Sequence, residues 1–405
     1  MELNYYQKSQ QLLQKARTLD AWALTYVKNY SSFEDVYPFY CKSAHGAYLW
    51  DVDNNKYIDY TLGYGTIILG HADKRVNASV IKEIRNATCV SPLWKPIQVE
   101  LAELLTSVIP KAEMAFFMKT GSDATSGALR LARVYTQRNK VIRWGYNGWH
   151  DWCTPRPKGV PESIRSDVME FTYNDVESLE KLFLDYPDQI ACVLMMPFEI
   201  EKPCDGFLQK VKEIAHQNGA LLILDEMRSG FRFALGGAQE YFGIQADLAT
   251  YSKAMSNGYP ISAIVGKKDI FQCMEQTKMT ATFFGSSLEM VAAYSTISIL
   301  KNTNVIPYIW HLGMIFLEGL NNIINELSIE AEVVGYPPFP YIRFIMKDQD
   351  QLEKAKRIFY SETTKKGILF HPNHHWYICG SHKIKDINNT LDICREAFSK
   401  VKVSL

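Results

Sequence analysis

The chain has 405 residues, enough for a large core, and its 44 basic and 44 acidic residues cancel to zero net charge. That balance excludes the basic surface of a nucleic-acid or anionic-membrane binder, and no apolar run approaches the roughly 20 residues of a membrane span. Eight scattered cysteines without a Cys-x-x-Cys pair argue against a disulfide framework or a zinc site and for a reducing cytoplasm, and the polar N-terminus carries no apolar signal core.

In chain order, the pattern predicts a helix from Tyr5 to about Tyr30 and then an irregular arm, Ser31 to Pro38. From Gly46 to Asp59, two alternating apolar runs flank Asp53-Asn54-Asn55, a hairpin signal. A Gly-rich turn follows at Leu62-Gly-Tyr-Gly65. Met114 to Met118 reads as a strand, running through Lys119-Thr-Gly-Ser-Asp-Ala-Thr125 into a helix from Ser126 to about Arg138. Gly121-Ser122 at this strand-to-helix turn has two readings. It is an ordinary helix cap, or a phosphate cradle in which backbone N–H groups and a hydroxyl meet the positive end of the helix. Lys140 to Arg143 is another strand, followed by the aromatic stretch Trp144-Gly-Tyr-Asn-Gly-Trp-His-Asp-Trp152. Gln189 to Met196 is a buried strand stopped by Pro197, and Phe207 to about Asn218 is a helix stopped by Gly219.

The chemistry concentrates in the next two segments. Leu221-Leu-Ile-Leu-Asp225 is a continuous apolar strand with a carboxylate at its end. Asp247-Leu-Ala-Thr-Tyr-Ser-Lys253 places a lysine just past a second strand, before a Ser-Asn-Gly turn. An isolated lysine is ordinarily a solvated surface cation. A lysine and an acid, each closing an apolar strand, instead suit a pyridoxal 5'-phosphate (PLP) site, where the lysine forms the Schiff base and the acid pairs with the pyridinium nitrogen. Beside them the cradle reading of Gly121-Ser122 becomes the favoured one. Ser262 to Gly266 is a further strand, Leu288 to about Leu327 is helical, and strands at Val333, Tyr341–Met346 and Gly367–Phe370 with helices at 351–366 and 387–402 make a small α+β region.

These motifs, in this order from about Gly46 to Phe398, resemble the class III PLP-dependent aminotransferases, and among them the branch similar to glutamate-1-semialdehyde aminomutase. The resemblance implies an α/β protein of the fold type I PLP transferases: a large, doubly wound, mostly parallel sheet domain and a small α+β domain. It divides the chain into an N-terminal segment (1–60), a PLP domain (61–300) and a C-terminal domain (301–405). It implies that Lys253 and Asp225 are catalytic and bind the cofactor, that Gly121 and Ser122 cradle the phosphate, and that Tyr146 stacks on the ring. It places the Gly-rich turn near the active-site mouth. Thr282, in Ala281-Thr-Phe-Phe-Gly-Ser-Ser-Leu288, would reach the phosphate of a neighbouring subunit, which implies a homodimer with active sites at its interface.

The sequence also departs from this family. Met196 stands where the family usually has Glu, so a polar contact is lost or supplied elsewhere, for example by Glu199. Arg228 stands where many members carry Gln or Met. No arginine lies between Arg17 and Arg75, where the aminomutase holds its substrate carboxylate, and the segment Cys153–Pro161 is shorter than its gating loop. The expectation is a transaminase acting on small amine and carbonyl substrates, with the aminomutase as the alternative and a silent PLP-fold binding protein as the reading from another class. A nicotinamide enzyme is set aside, because Gly63-Tyr-Gly65 lacks the third glycine and the helix of that fingerprint. Arg143, Arg228 and Arg343 are candidate anion binders, and His150 is either a hydrogen-bond partner near the cofactor or a surface residue. No metal site is expected.

Overall fold

The computed structural model describes residues 5–26, 33 and 35–405. The end of the expected first helix beyond Tyr26 and most of the arm at 31–34 lie outside these residues. Within them the first helix is two, Gln7–Leu19 and Trp22–Tyr26. The break falls at Asp20, whose carboxylate accepts the Trp22 N–H at 2.9 Å, a local bond that competes with helix continuation.

The chain forms two compact units, 74–306 and 1–73 with 307–405. In the second of these, β1 (Cys41–His45), β2 (Tyr48–Asp51) and β3 (Lys56–Asp59) form an antiparallel meander. The unit encompassing 74–306 is built on a seven-stranded sheet of β4 (Met114–Met118), β5 (Lys140–Trp144), β6 (Val168–Glu170), β7 (Ile190–Met195), β8 (Leu221–Asp225), β9 (Leu248–Tyr251) and β10 (Ser262–Gly266). Their spatial order is β4-β10-β9-β8-β7-β5-β6. All neighbours are parallel except β10, which runs antiparallel to both β4 and β9. Every residue of β7, β8, β9 and β10 is buried, as a sheet covered on both faces requires, and this is why those strands read as unbroken apolar runs.

The helix after β4 spans Gly121–Thr136, one turn and a half earlier than its hydrophobic pattern suggests. A capping box starts it: the Asp123 N–H donates to Thr120 Oγ1 at 3.2 Å, and the Thr120 N–H donates to the Asp123 carboxylate at 2.8 Å. Gly121 and Ser122 therefore occupy its first turn. Small residues on its inner face, Ala124, Ala128 and Ala132, join Met118, Val141, Cys192 and Ile264 in one buried cluster. The expected long helix from Leu288 is also two, Ser287–Lys301 and Val305–Leu327. Asn302 and Thr303 end the first by donating side-chain bonds to the carbonyls of Ser298 and Ile299, at 2.9 and 2.6 Å.

In the unit of 1–73 and 307–405, β11 (Ala331–Tyr336) pairs with β12 (Phe339–Phe344), and β13 (Ile368–Leu369) extends the first meander by pairing parallel to β3. Its core is aromatic. Phe370 stacks on Trp376 at 3.7 Å, and Phe359 packs against Phe398 at 4.6 Å. Helices Gln349–Lys365 and Ile384–Ser404 cover it.

Candidate active site

Five strands of the large sheet deliver side chains to one place. The residues that follow the C-terminal ends of β4, β5, β7, β8 and β9 line a cavity of about 180 Å³: Gly121 and Ser122, Tyr146 and Asn147, Met196, Asp225 with Arg228, and Lys253. Open α/β sheets bind ligands at this edge, outside the carboxyl ends of the strands.

Lys253 is half-buried and opens a tight turn, Lys253–Ser256, closed by left-handed Asn257. Its own φ is +44°, a conformation rare for a residue with a Cβ, and such strain concentrates at functional positions. Burial pulls its amine down from the ordinary lysine value to about 8, the Arg228 guanidinium adds to the fall, and Asp225 opposes it. More of the amine than in an ordinary lysine is therefore neutral, and nucleophilic, near neutral pH.

Asp225 is buried at the end of β8. Asn147 Nδ2 donates to one carboxylate oxygen at 3.0 Å, and the Met227 N–H donates to the other at 3.1 Å. Burial raises its pKa, and those two bonds with the Lys253 and Arg228 charges only partly counter the rise. A cationic ring nitrogen beside it would favour the ionised form. Asn147 Oδ1, also buried, has no hydrogen-bond partner among the described residues.

Gly121 and Ser122 line the cavity from the first turn of the helix, where backbone N–H groups lack intrahelical partners. Ser122 Oγ accepts the Trp149 N–H at 3.2 Å, which ties the loop after β5 to the helix start. Gly148 has φ +122°, and a Cβ there would collide with the Ser122 hydroxyl, so only glycine lets the two segments meet. Tyr146 lines the cavity with 56% of its surface exposed, leaving a ring face open to another flat ring.

Lys253, Asp225, Gly121, Ser122 and Tyr146 thus come together. Thr282 does not line the cavity; it is exposed in the turn Thr282–Gly285, and its carbonyl accepts the Ser91 hydroxyl at 3.3 Å. His150 has a hydrogen bond of 2.8 Å between Nδ1 and Ser126 Oγ, which also accepts the Trp152 indole N–H at 2.8 Å. Sequence reasoning missed Asn147. It lies 78 positions from Asp225, and only its place between Tyr146 and Gly148 marked it. The cavity fits PLP: it offers a nucleophilic amine, a buried acid, a helix N-terminus with a hydroxyl, and an open aromatic face, with an unpartnered buried amide oxygen among them.

A strand-end lysine and a buried acid over a covered parallel sheet define a PLP enzyme of the α/β class. The family model for class-III aminotransferases matches residues 30–386, and the chain belongs to that family; it is a PLP-dependent aminotransferase. It is 36% identical to the 3-aminobutyryl-CoA aminotransferase of Cloacimonas acidaminovorans, over 98% of each chain. It is 33% identical to a glutamate-1-semialdehyde 2,1-aminomutase of Alkaliphilus oremlandii, over 98% of this chain and 99% of that one. Among solved structures it is similar to the PLP internal aldimine form of the Sphingopyxis FumI protein, with a TM-score of 0.92, 29% identity, and 97% and 96% of the two chains covered.

Proposed function

We propose that the chain is a two-substrate transaminase, taking an amino group from a donor such as glutamate and passing it to a carbonyl metabolite, with Lys253 and Asp225 as its catalytic pair. The observation that carries this reading is their placement at the ends of neighbouring strands in one cavity. When bound, PLP supplies an electron sink as the C–H bond of the amine substrate breaks. Lys253 Nζ would hold the cofactor at rest and, once released, move the proton, since its amine is neutral enough to accept it. The Asp225 carboxylate would keep the ring nitrogen protonated, oriented by Asn147. Gly121, Ser122 and the helix N-terminus would hold the phosphate, and the Tyr146 ring would fix the plane of the cofactor.

Two departures favour amine exchange over the mutase reaction: the stretch between Arg17 and Arg75 without an arginine, and the short Cys153–Pro161 segment. The Cloacimonas relative's name makes a 3-oxoacyl thioester the first acceptor to try. Exposed Leu93, Trp94 and Phe283, at 72%, 77% and 64%, support a homodimer that covers them, with Thr282 serving the partner's phosphate. The absence of a disulfide among the described residues supports a cytoplasmic protein, and no described helix is long and apolar enough to cross a membrane.

The test is the visible absorption spectrum of the holoenzyme, with and without glutamate, beside Lys253→Ala. The reading predicts a band that glutamate bleaches in the wild type and that the variant lacks. A band altered by glutamate-1-semialdehyde alone would establish the mutase instead. A protein that binds no PLP would establish the silent fold.

A further inference from the structure

Three arginines in this sequence are candidates for holding an anion, and the structure separates them. The Arg143 side chain is saturated: its Nε donates to the Glu170 carboxylate at 2.9 Å, and Nη1 donates to the Cys153 carbonyl at 3.1 Å. Arg343 lies on β12, where it pairs with Glu332 at 3.0 Å, in the other unit. Arg228 alone of the three lines the Lys253 cavity.

Its surroundings are those of a group waiting for a partner. The Arg228 side chain is 8% exposed, and its Nε is buried with no hydrogen-bond partner among the described residues. Its charge also acts on Asp225, and the acid that pairs with it is Glu199, with a carboxylate oxygen 3.7 Å from Nη2 and a carbonyl 3.5 Å from Nη1, both long for a guanidinium bond. The Glu199 side chain is 42% exposed, so water competes for it and the pair is weak. A buried guanidinium left half-satisfied destabilises a protein unless a ligand completes it.

The loop does not let Arg228 relax away. Buried Glu226 pins it, accepting the Ser229 hydroxyl and the N–H groups of Ala238 and Gln239 at 2.9 and 2.7 Å. A Cβ on Gly230 would lie 2.8 Å from the Glu226 carbonyl oxygen, so the turn is packed tight. A rigid mount for an under-bonded planar fork is the arrangement that recognises carboxylates bidentately. The phosphate of the cofactor has its own cradle at Gly121–Ser122, on a different strand end.

We infer that Arg228 is an anion subsite inside the cavity, which takes the carboxylate of the amino donor or of the keto acid it becomes, with Glu199 as the counter-ion displaced. The choice of ligand rests on the transaminase reading. The subsite would give glutamate-type donors an anchor beside Lys253 in a chain that has no arginine between residues 17 and 75.

Glutarate is the probe, because it carries the carboxylates but neither amine nor carbonyl and so binds without reacting. Its affinity for the holoenzyme is read from the perturbation of the visible band in wild type, Arg228→Met and Glu199→Gln. The expected result is a Kd raised about 100-fold in R228M and lowered several-fold in E199Q, which frees the guanidinium. An unchanged Kd in both variants overturns the subsite. So does an R228M protein that loses PLP affinity but not glutarate affinity, since Arg228 then holds the cofactor. Should R228M fail to fold, E199Q decides alone: an unchanged or weaker Kd overturns the proposal. A wild type that binds glutarate through Arg228 but is not bleached by glutamate would keep the subsite and remove the glutamate reading; bleaching without an Arg228 effect would do the reverse.

Discussion

Asp59 and Asp225 are both buried and each closes a strand, and their surroundings differ. Asp59, at the end of β3, accepts the Thr61 N–H and hydroxyl, both at 2.7 Å, the Leu62 N–H at 3.1 Å, and a 2.8 Å bond with His71. Burial pushes its pKa up, but His71 and these donors outweigh burial and hold it below the ordinary value. Asp225, at the end of β8, has two donors, and burial wins. A carboxylate whose lone pairs are filled is a structural joint. One left short of donors next to a lysine of lowered pKa is prepared for a ligand that brings positive charge. The same contrast separates saturated Arg143 from half-bonded Arg228.

The largest expected effect tests the poised side. Lys253→Ala removes the proposed covalent anchor and proton carrier together, and amine transfer should fall by ~10⁴-fold or more, measured as single-turnover bleaching by glutamate, with the melting temperature held. The aspartate pair then gives opposite outcomes. Asp225→Asn should slow transfer by about 10²- to 10⁴-fold while leaving stability equal or higher, because a buried charge short of partners is removed. Asp59→Asn should lose about 1–3 kcal/mol of stability in urea, as buried donors lose their acceptor, with little change in transfer per folded molecule. Similar stability losses in both variants would break the comparison.

pH sharpens it further. Capture of PLP by the apoprotein needs neutral Lys253. Its rate should therefore rise with pH through about 8 and level off above, read by stopped-flow absorbance. In the other unit, burial holds His371 down to about 4, where its Nε2 lies 3.2 Å from the Tyr64 hydroxyl. The unfolded chain takes up that proton near pH 6.5 and the folded one only near 4, so this contribution is full above 6.5 and lost as pH falls toward 4. His371→Gln should make the stability curve flatter over that window by about 3 kcal/mol at most, measured by urea titrations at stepped pH. The smallest effect belongs to Ser122→Ala, which removes one hydroxyl from the proposed phosphate cradle and should weaken PLP binding about tenfold.

Much of this was legible because the signals are local. Buried strands β7 to β10 announce themselves as apolar runs, and Lys253 and Asp225 sit directly at their ends, so a short window of sequence carries both the element and the functional atom. The Gly121–Ser122 turn, proposed as the phosphate cradle, was legible for the same reason, although the helix begins at Gly121 rather than Ser126. There the Thr120–Asp123 capping box, not hydrophobic periodicity, sets the start. Asn147 and the facing of Arg228 were not legible. Asn147 finds Asp225 only after the β5 loop folds back across the sheet edge, and the state of Arg228 depends on a distance to Glu199 that spacing does not encode. The breaks at Asp20 and Asn302 escaped because a side chain capturing a backbone group leaves the apolar pattern nearly intact.

The central claim is that Lys253 is the residue to which the cofactor becomes attached. Reducing the PLP-loaded protein with borohydride, digesting it and mapping the modified peptide by mass spectrometry tests this without turnover. The account predicts one pyridoxyl group per chain, on the peptide carrying Lys253, and none on that peptide in Lys253→Ala. A label on another lysine, or no label on a protein that holds PLP, would contradict it.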